Sequence, residues 1–212
     1  MLTVKHFTFS PVQENTYVVY NDDNLCCIID PGCYFGNERK ELKDFISQYK
    51  LTPKYLLNTH CHLDHVFGNE FVFESFNIFL HIHEKEKQVL SYAPVSAISW
   101  NLPFVNYKHD LVLLQEGDII SLGNDTLDVL FTPGHSPGHV AFYCKEQQFL
   151  ISGDVLFRMS IGRTDLPGGN FDTLIESIRN KLFLLPDEVV VYSGHGEPTT
   201  IGFEKKHNPF LK

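Results

Sequence analysis

Residues 2–9 and 15–20 read as strands, the second rich in β-branched and aromatic side chains (Thr16-Tyr17-Val18-Val19-Tyr20). Asn21 to Asn24 form a turn, and the apolar run Leu25 to Ile29 predicts a third strand that ends at Asp30-Pro31-Gly32. From Asn37 the period changes: Leu42, Phe45, Ile46 and Tyr49 share one helical face, with Pro53 just beyond as a stop. Tyr55-Leu56-Leu57 is a short buried strand leading into a polar cluster that starts at His60. A helix is predicted over 64–76, a strand over 78–80 and another helix over 83–90. Residues 91–110, with Pro94, Trp100 and Pro103 and no clear period, predict a long loop or flap. Residues 111–152 are β-rich, with turns at Gly117, Gly123 and Pro133-Gly134. A last amphipathic helix fits Phe171, Leu174, Ile175, Ile178 and Leu182, with Asn170 as N-cap and Pro186 after its end. Val189 to Tyr192 form a final buried strand.

Each half of the chain thus pairs a β-meander with a helix, and two packed sheets with helices outside would bury these elements best, an α/β architecture. No linker or low-complexity segment divides the chain, so residues 1–212 are expected to form a single domain. With 43% hydrophobic and 20% charged residues, disordered and collagen-like classes are excluded. No long uncharged apolar run suggests a membrane span, and the start of the chain lacks a signal-peptide pattern. Five cysteines without a CxxC pair fit reduced thiols and a cytoplasmic location. A net charge of −9 disfavours nucleic acid and anionic membrane as partners and points to a small-molecule substrate. The one compositional excess is eleven histidines.

Their placement carries the chemistry. Thr59-His60-Cys61-His62-Leu63-Asp64-His65 puts three imidazoles and a carboxylate within six residues, a costly group to bury unless something binds it. His60 and His62, at i and i+2 after a buried strand, point to the same side of an extended segment. Asp64 and His65 sit where the next helix begins, turned toward a neighbouring position. That geometry suits two adjacent metal ions. His135 and His139 lie in a glycine- and proline-rich loop after a strand, and Asp154 and His195 each follow an apolar strand. Imidazole with carboxylate suits a borderline divalent ion, Zn(II) first, with Fe(II) and Mn(II) as alternatives.

The pattern His60-x-His62-x-Asp64-His65, then His135, Asp154 and His195, resembles the metallo-β-lactamase superfamily. The resemblance implies a four-layer αβ/βα sandwich with metals at one edge of the two sheets. It implies a first metal on His60, His62 and His135, a second on Asp64, His65 and His195, and Asp154 bridging both. His65 directly after the aspartate, Gly153 to Phe157, Ile161 to Asp165 and Gly194 to Gly202 are similar to the short, single-domain glyoxalase II proteins. Longer glyoxalase II enzymes add a C-terminal helical domain with much of the glutathione contact, which this chain is expected to lack.

The expected function is therefore a dinuclear metal-dependent hydrolase cleaving S-lactoylglutathione or a related acyl thioester. Two ions sharing a hydroxide give a nucleophile near neutral pH. Asp64 and Asp154 are ligands that can also take the proton of the bound water. The resemblance offers Arg163 as a carboxylate-binding residue, against a surface arginine paired with Asp165. Asp30 is either a residue orienting a ligand or a turn residue, and His139 a structural hydrogen bonder near the site. His6, His81, His83, His109 and His207 are read as solvated, and the cysteines as inert. Trp100, Phe104 and Tyr107 are expected to pack against the sheets rather than form a lid. A persulfide dioxygenase, with one Fe(II) on His60, His135 and Asp154, is the alternative on the same scaffold. Nuclease activity is disfavoured by the acidic balance, and a structural zinc module by the lack of Cys₄ or Cys₂His₂ ligation.

Overall fold

The computed structural model describes residues 1–212. The first half runs β1 (Leu2–Phe9), β2 (Glu14–Asn21), β3 (Leu25–Ile29), α1 (Gly36–Gln48), β4 (Thr52–Leu57), α2 (Leu63–Val66), α3 (Asn69–Phe76), β5 (Leu80–His83), α4 (Glu86–Ser99) and β6 (Leu111–Leu114). The second half runs β7 (Ile119–Leu122), β8 (Asp125–Phe131), β9 (Val140–Cys144), β10 (Phe149–Gly153), β11 (Leu156–Phe157), β12 (Ser160–Ile161), α5 (Phe171–Asn180), β13 (Val190–Ser193), β14 (Thr199–Thr200) and α6 (Ile201–His207). One six-stranded sheet has the order β1-β2-β3-β4-β5-β6 and the other β14-β13-β10-β9-β8-β7. β3, β4, β5 and β6 pair in parallel, as do β10 and β13; the other neighbours within the two sheets are antiparallel. No helix is long and apolar enough to cross a membrane.

Strand periodicity builds the layers. In β2 and β3, Val18, Cys26 and Ile28 face a core shared with Leu42, Ile46, Val72 and Leu90 of α1, α3 and α4. Their sequence neighbours Tyr17, Val19, Cys27 and Ile29 face the other way and meet Val129, Val140, Phe142 and Ile151 of the second sheet. Ala141, Tyr143 and Leu150 then point outward onto Leu174 and Ile178 of α5 and Ile201 of α6. Strands covered on both faces read as continuous apolar runs, as β9 and β10 do. The result is helix, sheet, sheet, helix: the four-layer αβ/βα sandwich. Asn170 caps α5, its side chain accepting the Thr173 N–H at 2.9 Å.

Three expectations change. The loop expected over 91–110 begins only after Ser99, because α4 passes straight through Pro94. Pro94 has no N–H for the Leu90 carbonyl, and the Asn106 side-chain amide donates to that oxygen instead, at 2.8 Å. Glu86, Leu90, Ala93 and Ala97 form the buried stripe of α4 at helical spacing. The helix expected over 64–76 breaks into α2 and α3 at Phe67-Gly68. A Cβ at Gly68 would sit 2.4 Å from Cys33 Sγ, so the 31–33 turn packs directly on that glycine. β5 begins at Leu80 rather than 78, and β14 and α6 follow the last expected strand.

Among the loop aromatics, Tyr107 is buried, donating its hydroxyl to the Asp110 carbonyl at 2.8 Å, and Phe104 stacks edge-on against Phe67. Trp100 departs from the expectation of packing: it is 46% exposed and lines the cleft described next.

Candidate metal centre

The chain reaches one edge of the sandwich at the ends of three parallel strands. β4 leads through Asn58 and Thr59 to His60, β10 ends at Gly153 before Asp154, and β13 ends at Ser193 before Gly194 and His195. The Val140 N–H donates to the Thr59 carbonyl at 2.8 Å and the Asn15 N–H to the Gly194 carbonyl at 2.7 Å, so the two sheets are laced together there.

His60, His62 and His135 form one group whose ligand atoms all lie within 4.8 Å of one another. His135 Nε2 is 2.8 Å from His62 Nδ1 and 3.2 Å from His60 Nε2. The outward nitrogens settle the tautomers. His135 Nδ1 donates to the Arg163 carbonyl at 2.7 Å. Thr59 Oγ1 donates to Asp30 at 2.6 Å and so accepts from His60 Nδ1 at 3.1 Å. Neutral His60 and His135 therefore turn lone pairs toward each other, a conflict that a cation between them removes.

Asp64, His65 and His195 form a second group. His65 Nδ1 faces Asp30 Oδ2 at 3.1 Å and His195 Nδ1 faces the Gln13 carbonyl at 3.1 Å, leaving both Nε2 atoms directed inward. Asp64 Oδ2 lies 3.1 Å from His195 Nε2 and 3.7 Å from His65 Nε2. Asp154 stands between the groups, Oδ1 being 3.5 Å from His65 Nε2 and Oδ2 3.6 Å from His135 Nε2. His65 Nε2 and Asp154 Oδ1 are buried without a hydrogen-bond partner. A Cβ at Gly194 would sit 2.1 Å from Asp154 Oδ1, so only glycine leaves that carboxylate its place. Orphaned donor atoms, opposed lone pairs and an all-nitrogen-and-oxygen donor set fit divalent ions.

Charge is divided between the groups. Burial pushes His62 down to about 3, and burial with the neighbouring imidazoles holds His60 well below its ordinary value. Burial also lowers His135. Burial opposes charge on His65 too, but Asp154 and Asp64 outweigh it and hold that imidazole well above its usual range. His195 is likewise raised by Asp64 and Asp154 against its burial. Both aspartates are held low by His65 despite their burial.

Behind the donors lies a buried scaffold. Asp30 accepts from the Thr59 N–H at 2.7 Å, from Thr59 Oγ1 and from Asn58 Nδ2 at 3.1 Å, besides facing His65. His139 stacks on His60, and its Nε2 accepts the Asp154 N–H at 3.1 Å, which leaves Nδ1–H for Thr132 Oγ1 at 3.2 Å. Glu86, at the start of α4, accepts from the Cys61 N–H, the Gly138 N–H and the Ser136 hydroxyl, tying the His60 loop to the His135 loop. Glu14 is fully buried beside His65, 3.9 Å from Nδ1, and burial pushes its carboxyl well up. Neither glutamate stands out in the sequence, where each reads as a surface charge. Their only mark is structural: fully buried carboxylates at an element's first residue.

Arg163 reaches the centre through its main chain, and its guanidinium lies at the rim, paired with Asp165 through two hydrogen bonds of 2.8 and 2.7 Å. A cavity of about 600 Å³ opens over the donors, with Trp100, Phe157, Arg158, Arg163, Leu166 and Glu197 around them. Cys61 points into the apolar core, where burial pushes its thiol well above the ordinary range. His81 and His83 are half-buried rather than solvated: His81 Nδ1 faces the Phe79 carbonyl at 2.9 Å, and His83 stacks on Phe131. His109 stacks on Phe73 beside Glu70.

Comparison with known proteins agrees with this geometry. The chain is 40% identical over 201 residues to a hydroxyacylglutathione hydrolase of Haemophilus influenzae, covering 94% of this chain and 93% of that protein. It is 41% identical to the crystal structure of the BLEG-1 B3 metallo-beta-lactamase, with a TM-score of 0.90 over 99% of this chain and 100% of that one. It is 38% identical to the structure of TTHA1623 in a di-iron-bound form, with a TM-score of 0.88 over 98% and 100% of the two chains. Residues 9–195, from the end of β1 to the last histidine of the centre, match the family model itself, and the chain belongs to the Metallo-beta-lactamase superfamily.

Proposed function

We propose that the chain is a dinuclear metal-dependent hydrolase that cleaves an acyl thioester, S-lactoylglutathione or a related acyl thiol. The observation that carries this reading is the position of Asp154 between two three-residue donor groups at the floor of an open cavity. The hydroxyacylglutathione hydrolase of Haemophilus influenzae supports the thioester class. His60, His62 and His135 would hold one ion, Asp64, His65 and His195 the other, and Asp154 would face both. Zn(II), Fe(II) and Mn(II) all suit these donors. When bound, two such ions supply a water acidified toward neutral pH and positive charge for a developing oxyanion.

The remaining work falls to the chain. In the overall reaction a bond forms between water oxygen and the acyl carbon, the carbon–sulfur bond breaks, and a carboxylic acid and a thiol leave. No cysteine competes as nucleophile, since all five are buried free thiols. Asp64 Oδ2 and Asp154 Oδ2, beside the inward nitrogen of His195, are placed to take the water proton. Asp30, Arg163 (through its carbonyl) and Gln13 hold His65, His135 and His195 by their outward nitrogens. The Arg163 guanidinium is placed to meet a carboxylate on the thiol portion.

The test is metal-analysed protein assayed on S-lactoylglutathione, neutral thioesters, a chromogenic β-lactam and glutathione persulfide. Thioester hydrolysis with two ions per chain is expected. Oxygen uptake with persulfide at one iron per chain overturns the reading. Turnover of the β-lactam alone would overturn the thioester reading and assign the same centre to cyclic amides, in keeping with the metallo-beta-lactamase to which the chain is 41% identical.

A further inference from the structure

A second cavity, of about 380 Å³, lies beside the first between α4 and the 166–168 segment. It shares His62, Leu63, Ser96 and Leu166 with the metal cleft. No aspartate, glutamate, lysine or arginine lines it; Leu63, Val89, Ala93, Pro137 and Pro167 do, with the neutral polar side chains of Gln88, Tyr92 and Ser96 between them. Every cationic side chain at the cleft, Arg158 and Arg163, lies on the first cavity instead, together with Glu197.

We propose that this side cavity is the acyl subsite, and that the enzyme prefers thioesters of medium-length, unbranched aliphatic acids over short polar ones such as lactoyl. The inference rests on the thioesterase reading above. A thioester has two arms on either side of its carbonyl. Here one neighbouring space carries charged side chains, and the other has no formally charged side chain and draws about half of its wall from apolar residues. A carboxylate-bearing thiol matches the first; an alkyl chain matches the second.

The walls are built to hold their shape. Pro137 stands between Ser136 and Gly138, and both of these neighbours are bonded to Glu86 at the base of α4. Gly168 packs against Pro137, where a Cβ would come within 3.0 Å of the proline ring. Val89 and Ala93 lie one turn apart on α4, with Ala93 anchored in the first core. A preformed apolar pocket binds an alkyl chain without first having to order its own walls. At a liquid-water share of about 30 Å³ per molecule, the cavity has room for roughly a dozen groups of that size, far more than a lactoyl group occupies.

The experiment is a chain-length series on one neutral thiol. Acetyl, butyryl, hexanoyl, octanoyl and decanoyl thioesters of N-acetylcysteamine are hydrolysed by metal-loaded protein, and kcat/KM is measured. Each methylene is expected to raise kcat/KM by up to about fourfold, giving roughly thirtyfold or more from acetyl to hexanoyl, with a plateau as the cavity fills. Val89→Trp, which narrows the cavity from its α4 wall, is expected to cut the hexanoyl-to-acetyl ratio at least about tenfold. A mirror series, acetyl thioesters of progressively longer alkanethiols, is expected to show no such rise. A flat acyl series with acetyl turnover intact overturns the acyl subsite and leaves the thioesterase reading standing. A rise confined to the thiol series assigns the cavity to the other arm and overturns it too. Failure to hydrolyse any thioester removes the underlying reading and this inference with it. Should Val89→Trp not fold, the two series on the parent protein decide alone.

Discussion

Glu86 Oε1 accepts the backbone N–H of Gly138 at 2.7 Å, across 52 residues of chain, while its other oxygen holds the Cys61 N–H at 2.7 Å. One carboxylate thus sets the spacing between the loop of His60 and His62 and the loop of His135. Removing it leaves two buried N–H groups without acceptors. Glu86→Ala is expected to cost about 3 kcal/mol of stability, read by chemical denaturation. It should also weaken metal binding by roughly tenfold to a hundredfold, read by competition with a chromophoric chelator. Unaltered metal affinity in a folded variant would limit Glu86 to structural support.

Asp154 touches both donor groups, so Asp154→Ala is expected to lower thioester hydrolysis by several orders of magnitude and to lose at least one ion per chain. Elemental analysis checks the second part. Two ions retained per chain would show that Asp154 does not serve both positions.

Arg163 separates into two roles by atom. Its carbonyl orients His135, and its guanidinium is engaged by Asp165 at the cavity rim. Because Arg163→Ala keeps the carbonyl, the expected effect is on recognition: KM for carboxylate-bearing thioesters should rise about tenfold, and more than KM for neutral ones. Asp165→Ala frees the guanidinium and should lower the same KM. Equal effects on charged and neutral substrates would remove Arg163 from recognition.

Chelator-treated protein should have a stability maximum near pH 6.5. His60, His62, His135 and His139 are held below their ordinary value. Between pH 6.5 and their lower folded values they take up protons on unfolding, so stability falls as pH falls through that window. His65 and His195 are held above it. Their contribution is full below pH 6.5 and is lost as pH rises through their folded values. Each net proton is worth about 1.4 kcal/mol per pH unit. Metal loading should displace the protons of His65 and His195 and flatten the alkaline limb. Denaturation midpoints from pH 5 to pH 9, with and without metal, check both limbs; a monotonic metal-free profile would contradict the charge division.

The layers were legible because their strands alternate between two cores, as Val18 and Val19 do, or run continuously apolar, as β9 does. The donor residues stood out through i, i+2 spacing and repeated placement after apolar strands. Features resting on a distant partner were hidden. The helix through Pro94 depends on an amide from Asn106, and the break at Gly68 depends on Cys33. Glu14 and Glu86 look like surface charges until the fold encloses them. Trp100 follows α4 to the cleft only because that helix extends past Pro94.

The donors divide by origin: His60, His62, Asp64 and His65 follow the first sheet, whereas His135, Asp154 and His195 follow the second. Any ion held by both sets acts as a clasp across the seam, where the halves otherwise meet through greasy packing and hydrogen bonds such as Asn15 N–H to the Gly194 carbonyl at 2.7 Å and the Tyr17 hydroxyl to the Ser193 carbonyl at 2.6 Å. Withdrawing it should loosen the seam before the layers. Amide exchange would then quicken at residues 58–65, 134–139 and 194–196 while β9 and β10 stay protected.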